Sequence, residues 1–86
     1  MTEYQILSWH EFPAQIRVRD GSDRIQIELP PRFQERIDAE AMKRGLAGTD
    51  AYLEGWTWGP KTPREGPARD VAEAVARELE EAFPAQ

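Results

Sequence analysis

Residues 15–29 read QIRVRDGSDRIQIEL and carry the clearest structural signal of the chain. Two runs of alternating apolar and polar residues flank the sequence DGSD, a pattern typical of a β-hairpin. A two-residue loop of Gly21 and Ser22 predicts a type II′ turn, because such a turn needs Gly at its first central position. In this register Val18 lies opposite Ile25, so one face of the hairpin is apolar and the other is polar.

The segments around the hairpin predict one more strand before it and a helix, a strand and a helix after it. Residues 4–11 (YQILSWHE) are apolar on both faces, which favours a strand inside a sheet. After two prolines, RFQERIDAEAMKR has apolar residues at helical spacing, and Gly45 stands just beyond. Residues 54–59 form a further strand that ends before Pro60, and residues 68–83 form an amphipathic helix.

This order, β-β-β-α-β-α, predicts a single α+β domain over residues 1–86. We expect three or four strands in a mostly antiparallel sheet with two helices on one face. The position of strand 54–59 is open. A helical crossover would place it parallel to the third strand and make the sheet mixed.

The core is expected to lie between the sheet and the final helix. Two tryptophans one residue apart supply most of its volume, and helical residues four apart supply the rest. The predicted core set is Trp56, Trp58, Phe33, Ile37, Val71, Val75 and Leu79.

Composition excludes several classes of function. The chain has no cysteine and only one histidine, so we expect neither a metal site nor a cofactor. Sixteen acidic and eleven basic residues give a net charge of −5, which disfavours binding to nucleic acid. The start MTEYQ lacks the positive charge of a signal peptide, and the apolar runs are too short to span a membrane. We therefore expect a cytoplasmic location.

Basic residues form the candidate binding site. Arg17, Arg19 and Arg24 share the polar face of the hairpin, and Lys61 and Arg64 follow the tryptophan strand in the loop PKTPREG. Together they would suit an anionic ligand or an acidic partner, although a solvated sheet face gives the same pattern. No catalytic residue is predicted, because His10 and Glu11 would point to opposite faces of a strand.

The strings YQILSWHEFPAQIRVRD, ELPPRFQERIDAEAM and DAYLEGWTWG, followed by a long final helix, resemble the small bacterial domain family labelled "virulence factor". The label names a phenotype association in some relatives and not a reaction, so no functional residue carries over from it. The resemblance also implies an accessory role beside enzymes of one-carbon and methyl-transfer metabolism.

Two functions remain open. The first is a non-catalytic interaction module whose partner is another protein. The alternative is a small enzyme or enzyme subunit that binds an anionic metabolite through the arginine face. The two-faced apolar character of strand 4–11 also suggests a weak homodimer, in which the uncovered face of that strand pairs with a second copy.

Overall fold

The computed structural model describes residues 2–83, which form a five-stranded sheet and three helices, with the last helix packed on one face of the sheet. The elements are β1 (Thr2–Trp9), β2 (Phe12–Asp20), β3 (Asp23–Glu28), α1 (Pro31–Lys43), α2 (Asp50–Glu54), β4 (Trp56–Trp58), β5 (Thr62–Pro63) and α3 (Ala68–Ala82). The predicted α+β class is confirmed. Within the described residues, no helix is both long enough and apolar enough to cross a membrane.

The β2–β3 hairpin has the predicted register. Val18 lies opposite Ile25 and Arg19 opposite Arg24, and the two strands pair without a bulge. Gly21 has a φ of 61°, which a residue with a Cβ rarely adopts. Gly therefore fits this position of the turn without backbone strain.

A second hairpin, between β1 and β2, corrects the expectation of a strand over residues 4–11. His10 and Glu11 form its two-residue turn, and His10 has a φ of 53°. β2 already starts at Phe12, and Pro13 is accommodated because the β1–β2 register shifts between Leu7 and Ser8. Such irregularities are among the few places where a sheet tolerates proline.

The structure also gives the position of the tryptophan strand, which the sequence left open. β4 pairs antiparallel with β1, and Leu7 lies opposite Trp58, so the alternative of a mixed sheet is wrong. The strand order is β3-β2-β1-β4, and the short β5 pairs with β1 as well. The unpredicted helix α2 lies between α1 and β4 and redirects the chain, so that β4 enters the sheet antiparallel to β1. Every pairing in the sheet of residues 2–83 is consequently antiparallel.

The larger core cluster lies between the hairpin and α3. Ile16 and Val18 of β2 are fully buried against Val71 and Val75 of α3. Phe33, at the start of α1, belongs to the same cluster, and Leu79 packs against it while only partly buried. Both long helices thus bury apolar stripes at four-residue spacing.

A smaller cluster closes the other end of the sheet around Trp9, which is fully buried with Ile37 and Ala41 of α1. The expectation that Trp56 and Trp58 lie beneath the final helix is corrected. Trp56 is partly buried against this smaller cluster, and Trp58 belongs to neither cluster. The tryptophan that fills this cluster is Trp9 at the end of β1, and its indole packs against Ile37 and Ala41 of α1.

Candidate functional site: a basic face of the sheet

The sheet face opposite α3 carries cross-strand rows of polar residues. In one row Glu3, Arg19 and Arg24 lie side by side on β1, β2 and β3. Gln5 and Arg17 belong to the next row. Since residues in register share a face, alternation along the three strands puts every one of these side chains on the outer surface. We call this surface the basic face.

Arg17 is held in place by two neighbours. Its guanidinium carbon lies 4.0 Å from the ring centroid of Trp58, a cation–π stack. Its Nη2 donates a hydrogen bond of 2.7 Å to Oε1 of Gln5, and Nε2 of Gln5 donates one of 2.9 Å to the carbonyl of Gly59. Trp58 is therefore a fixed aromatic edge of the basic face. The sequence pattern had predicted a place for it in the core.

A shallow groove of about 220 Å³ crosses the basic face. Its charged and amide lining is Glu3, Gln5, Arg17, Arg19, Arg24 and Lys61. Four cations against one carboxylate give the groove a local charge of +3, although the whole chain carries −5. The groove therefore attracts anions more strongly than the net charge suggests.

Three of these cations are unpaired. Within residues 2–83, Arg19, Arg24 and Lys61 form no ion pair, whereas Arg32, Arg44 and Arg64 outside the groove contact glutamates. Arg19 and Arg24 also lie directly opposite each other, and like charges in that position destabilise a sheet. An anion bound between them would remove this repulsion.

Arg64 does not join the other four predicted binding residues. Its Nη1 and Nη2 donate hydrogen bonds of 3.1 and 2.7 Å to the carboxylate of Glu78 on α3. The hydrogen bond from Arg64 holds the pKa of Glu78 below its ordinary value, and the same bond raises the pKa of Arg64. Arg64 thus fastens the loop after β5 to the final helix.

His10 and Glu11 do not form an acid–base pair. The His10 ring meets the Trp9 ring edge to face, with centroids 4.4 Å apart, and the Glu11 carboxylate accepts a 3.0 Å hydrogen bond from Arg44. Among the described residues, no three His, Cys, Asp or Glu side chains are grouped closely enough to hold a metal ion.

Sequence reasoning missed Glu3 and Gln5, the contribution of β1 to the basic face. Their signal was the alternation of β1, in which Glu3, Gln5 and Leu7 share one side. It also missed an apolar recess of about 310 Å³ at the end of the helices, which Phe12, Phe33, Leu79 and Phe83 line. The residues that line this recess come from three separate parts of the chain, so no pattern within one segment predicts it.

The fold and the basic face define a small α+β domain with an open, positively charged groove. A family model described as "Virulence factor" matches residues 7–86. The chain therefore belongs to the virulence factor family. No curated protein and no solved structure matches it.

Proposed function

We propose that this protein is a non-catalytic interaction module whose basic face binds an acidic, extended segment of a partner protein. The observation that carries this proposal is the set of unpaired cations on the outer face, Arg19, Arg24 and Lys61, in a chain that is acidic as a whole.

The shape of the groove supports a polypeptide over a small metabolite. Sites for small molecules are enclosed and usually hold roughly 300–1,000 Å³. The groove on the basic face holds about 220 Å³ and lies open along the strands. Its volume is below that range, and an extended segment could continue beyond the groove on both sides.

The spacing of the cations supports the same partner. Arg17 and Arg19 are two residues apart on β2, so their Cα atoms are about 7 Å apart. Alternate residues of an extended peptide have the same separation, which lets two carboxylates reach two guanidinium groups at once. Arginine suits this role because its planar fork can form two parallel hydrogen bonds to a carboxylate.

Rigidity should reduce the entropic cost of binding. The arginines stand on paired strands, and Arg17 is fixed by Trp58 and Gln5. Side chains that are already ordered lose less rotamer freedom when a partner arrives. The indole of Trp58 also offers an apolar surface beside the charges, a combination common in binding hot spots.

The test compares two double variants with the same change in charge. Arg19→Glu with Lys61→Glu reverses the basic face, and Arg69→Glu with Arg77→Glu reverses two exposed arginines of α3. Fluorescence anisotropy measures binding of a labelled Glu-rich peptide, and calorimetry measures binding of citrate as a small anion.

We expect the peptide to bind the wild type and the α3 variant and to lose at least about tenfold in affinity for the basic-face variant. Equal losses in both variants would show a general charge effect and contradict the proposal. Binding of citrate that is tighter than binding of the peptide would favour a small-ligand site instead.

A further inference from the structure

β3 is the edge strand of the sheet, and its features suit pairing with another strand. β2 lies on one side of it, and its other side carries no strand within residues 2–83. Edge strands of natural proteins are usually blocked by proline, by a bulge or by lysine. Residues 23–28 contain neither proline nor lysine, and the pairing with β2 is regular throughout.

The backbone groups of the free edge follow from the turn. In a hairpin with a two-residue loop, Asp20 and Asp23 form the hydrogen-bonded pair that closes the turn. Pairs alternate along an antiparallel ladder, so Ile25 and Ile27 also bond to β2. The N–H and C=O groups of Arg24, Gln26 and Glu28 consequently point away from the sheet.

The side chains of β3 are complementary to those of a second copy of β3 that runs antiparallel to it. The sequence of residues 24–28 is RIQIE, with opposite charges at the two ends and a glutamine in the middle. When two such strands run antiparallel about Gln26, Arg24 lies opposite Glu28 of the other copy, twice. Ile25 lies opposite Ile27 on the inner face, where both are only partly buried in the single chain.

Neither Arg24 nor Glu28 has an ion-pair partner within the described part of the single chain. Both side chains are exposed. The register that aligns the charges is also the register in which the outward N–H and C=O groups of Arg24, Gln26 and Glu28 face each other. Backbone and side chains therefore select the same pairing.

We propose that β3 pairs antiparallel with β3 of a second copy, centred on Gln26, so that two sheets join into one. This interface differs from the homodimer expected from strand 4–11, in which the uncovered face of that strand pairs with a second copy. The dimer places the two basic faces on one surface, where each keeps its own Arg17, Arg19 and Lys61.

The interface is small, because six residues per copy bury less than the roughly 1,200 Å² of a standard protein interface. The dimer is therefore weak, and its dissociation depends on protein concentration. Each reversal of charge turns two attractive pairs into two repulsive pairs, which should weaken the dimer at least about tenfold.

The experiment is sedimentation equilibrium over a wide range of concentrations, with circular dichroism as the check on folding. We expect the wild type to dimerise. At the concentrations where the wild type is dimeric, both Arg24→Glu and Glu28→Arg should be monomeric. A mixture of the two variants should dimerise again, since every cross-strand pair is then complementary. Arg77→Glu, a reversal on α3, should leave the equilibrium unchanged.

A wild type that stays monomeric at millimolar concentration would overturn the proposal. So would a dimer that survives both reversals, or a mixture of the two folded variants that fails to associate. The mixture tests the register itself, because a dimer through any other surface gains nothing from combining these two changes.

Discussion

Trp9 and Trp58 stand on neighbouring strands, yet they serve opposite purposes. Trp9 of β1 is fully buried, and its Nε1 donates a 2.8 Å hydrogen bond to the carbonyl of Tyr52. Trp58 of β4 is partly exposed and is covered by the guanidinium of Arg17. Because Leu7 lies opposite Trp58 and shares its side of β1 with Trp9, both indoles lie on the same face of the sheet. The comparison teaches that the end of this face covered by α1 and α2 holds the molecule together, while the basic face is open to solvent. Variants in the two regions should therefore report on different properties.

The largest expected effect is the loss of the buried indole. Trp9→Ala should cost about 3–5 kcal/mol, as large-to-small substitutions of core aromatics do. A domain of this size has a total stability of little more than roughly 5 kcal/mol, so this variant should be largely unfolded. Trp58→Ala should cost less, roughly 2 kcal/mol, because this indole is only partly buried and loses one cation–π contact. Urea denaturation followed by circular dichroism gives both values, and equal midpoints would contradict the comparison.

The next effect concerns Gly55, which makes room for Trp9. A Cβ at Gly55 would lie 2.5 Å from Nε1 and 2.9 Å from Cδ1 of the buried indole. Gly55→Ala should therefore cost about 1–3 kcal/mol through overpacking. Gly59→Ala is the matched control, because its Cβ would meet only the Ile6 carbonyl at 3.5 Å. If the two thermal midpoints fall equally, the space around Trp9 is not the cause.

A smaller effect separates Arg64 from the basic face. The hydrogen bond from Arg64 lowers the pKa of Glu78. A carboxyl group with a lowered folded-state pKa adds stability above its unfolded pKa and loses that contribution as the pH falls through the folded value. Arg64→Ala should return the Glu78 pKa to its ordinary range in an NMR titration and leave peptide binding intact. Arg69→Ala is the control, and loss of peptide binding in Arg64→Ala would place Arg64 at the site.

Removal of metal ions should have no effect on the stability of the protein. The chain has no cysteine and one histidine, and we expect the fold to need no metal. A strong chelator should leave the thermal midpoint unchanged in differential scanning fluorimetry. A drop of several degrees would reveal a metal site.

The sequence predicted what depends on neighbouring residues. The hairpin register followed from Gly21 and the alternation around it, and α1 followed from Pro31 and the four-residue spacing of Phe33 and Ile37. Four of the five proposed binding residues meet at the groove, because three share a hairpin face whose geometry is local.

What the sequence did not predict depends on contacts between distant segments. The turn at His10 lacks the usual glycine, and Pro13 hid the start of β2. The identity of the core tryptophan depends on which end of the sheet α1 and α2 cover. The same holds for Arg64, whose partner Glu78 lies fourteen residues away on α3. A pattern along one segment contains none of this information.

The most direct test of the basic face as the binding surface is an NMR titration of the protein with the Glu-rich peptide. The account predicts shifts in the backbone amides of Arg17, Arg19 and Lys61 and in the indole N–H of Trp58, with the indole N–H of Trp9 unchanged. Shifts confined to the apolar recess around Phe12 and Phe83, or no shifts at all, would contradict it.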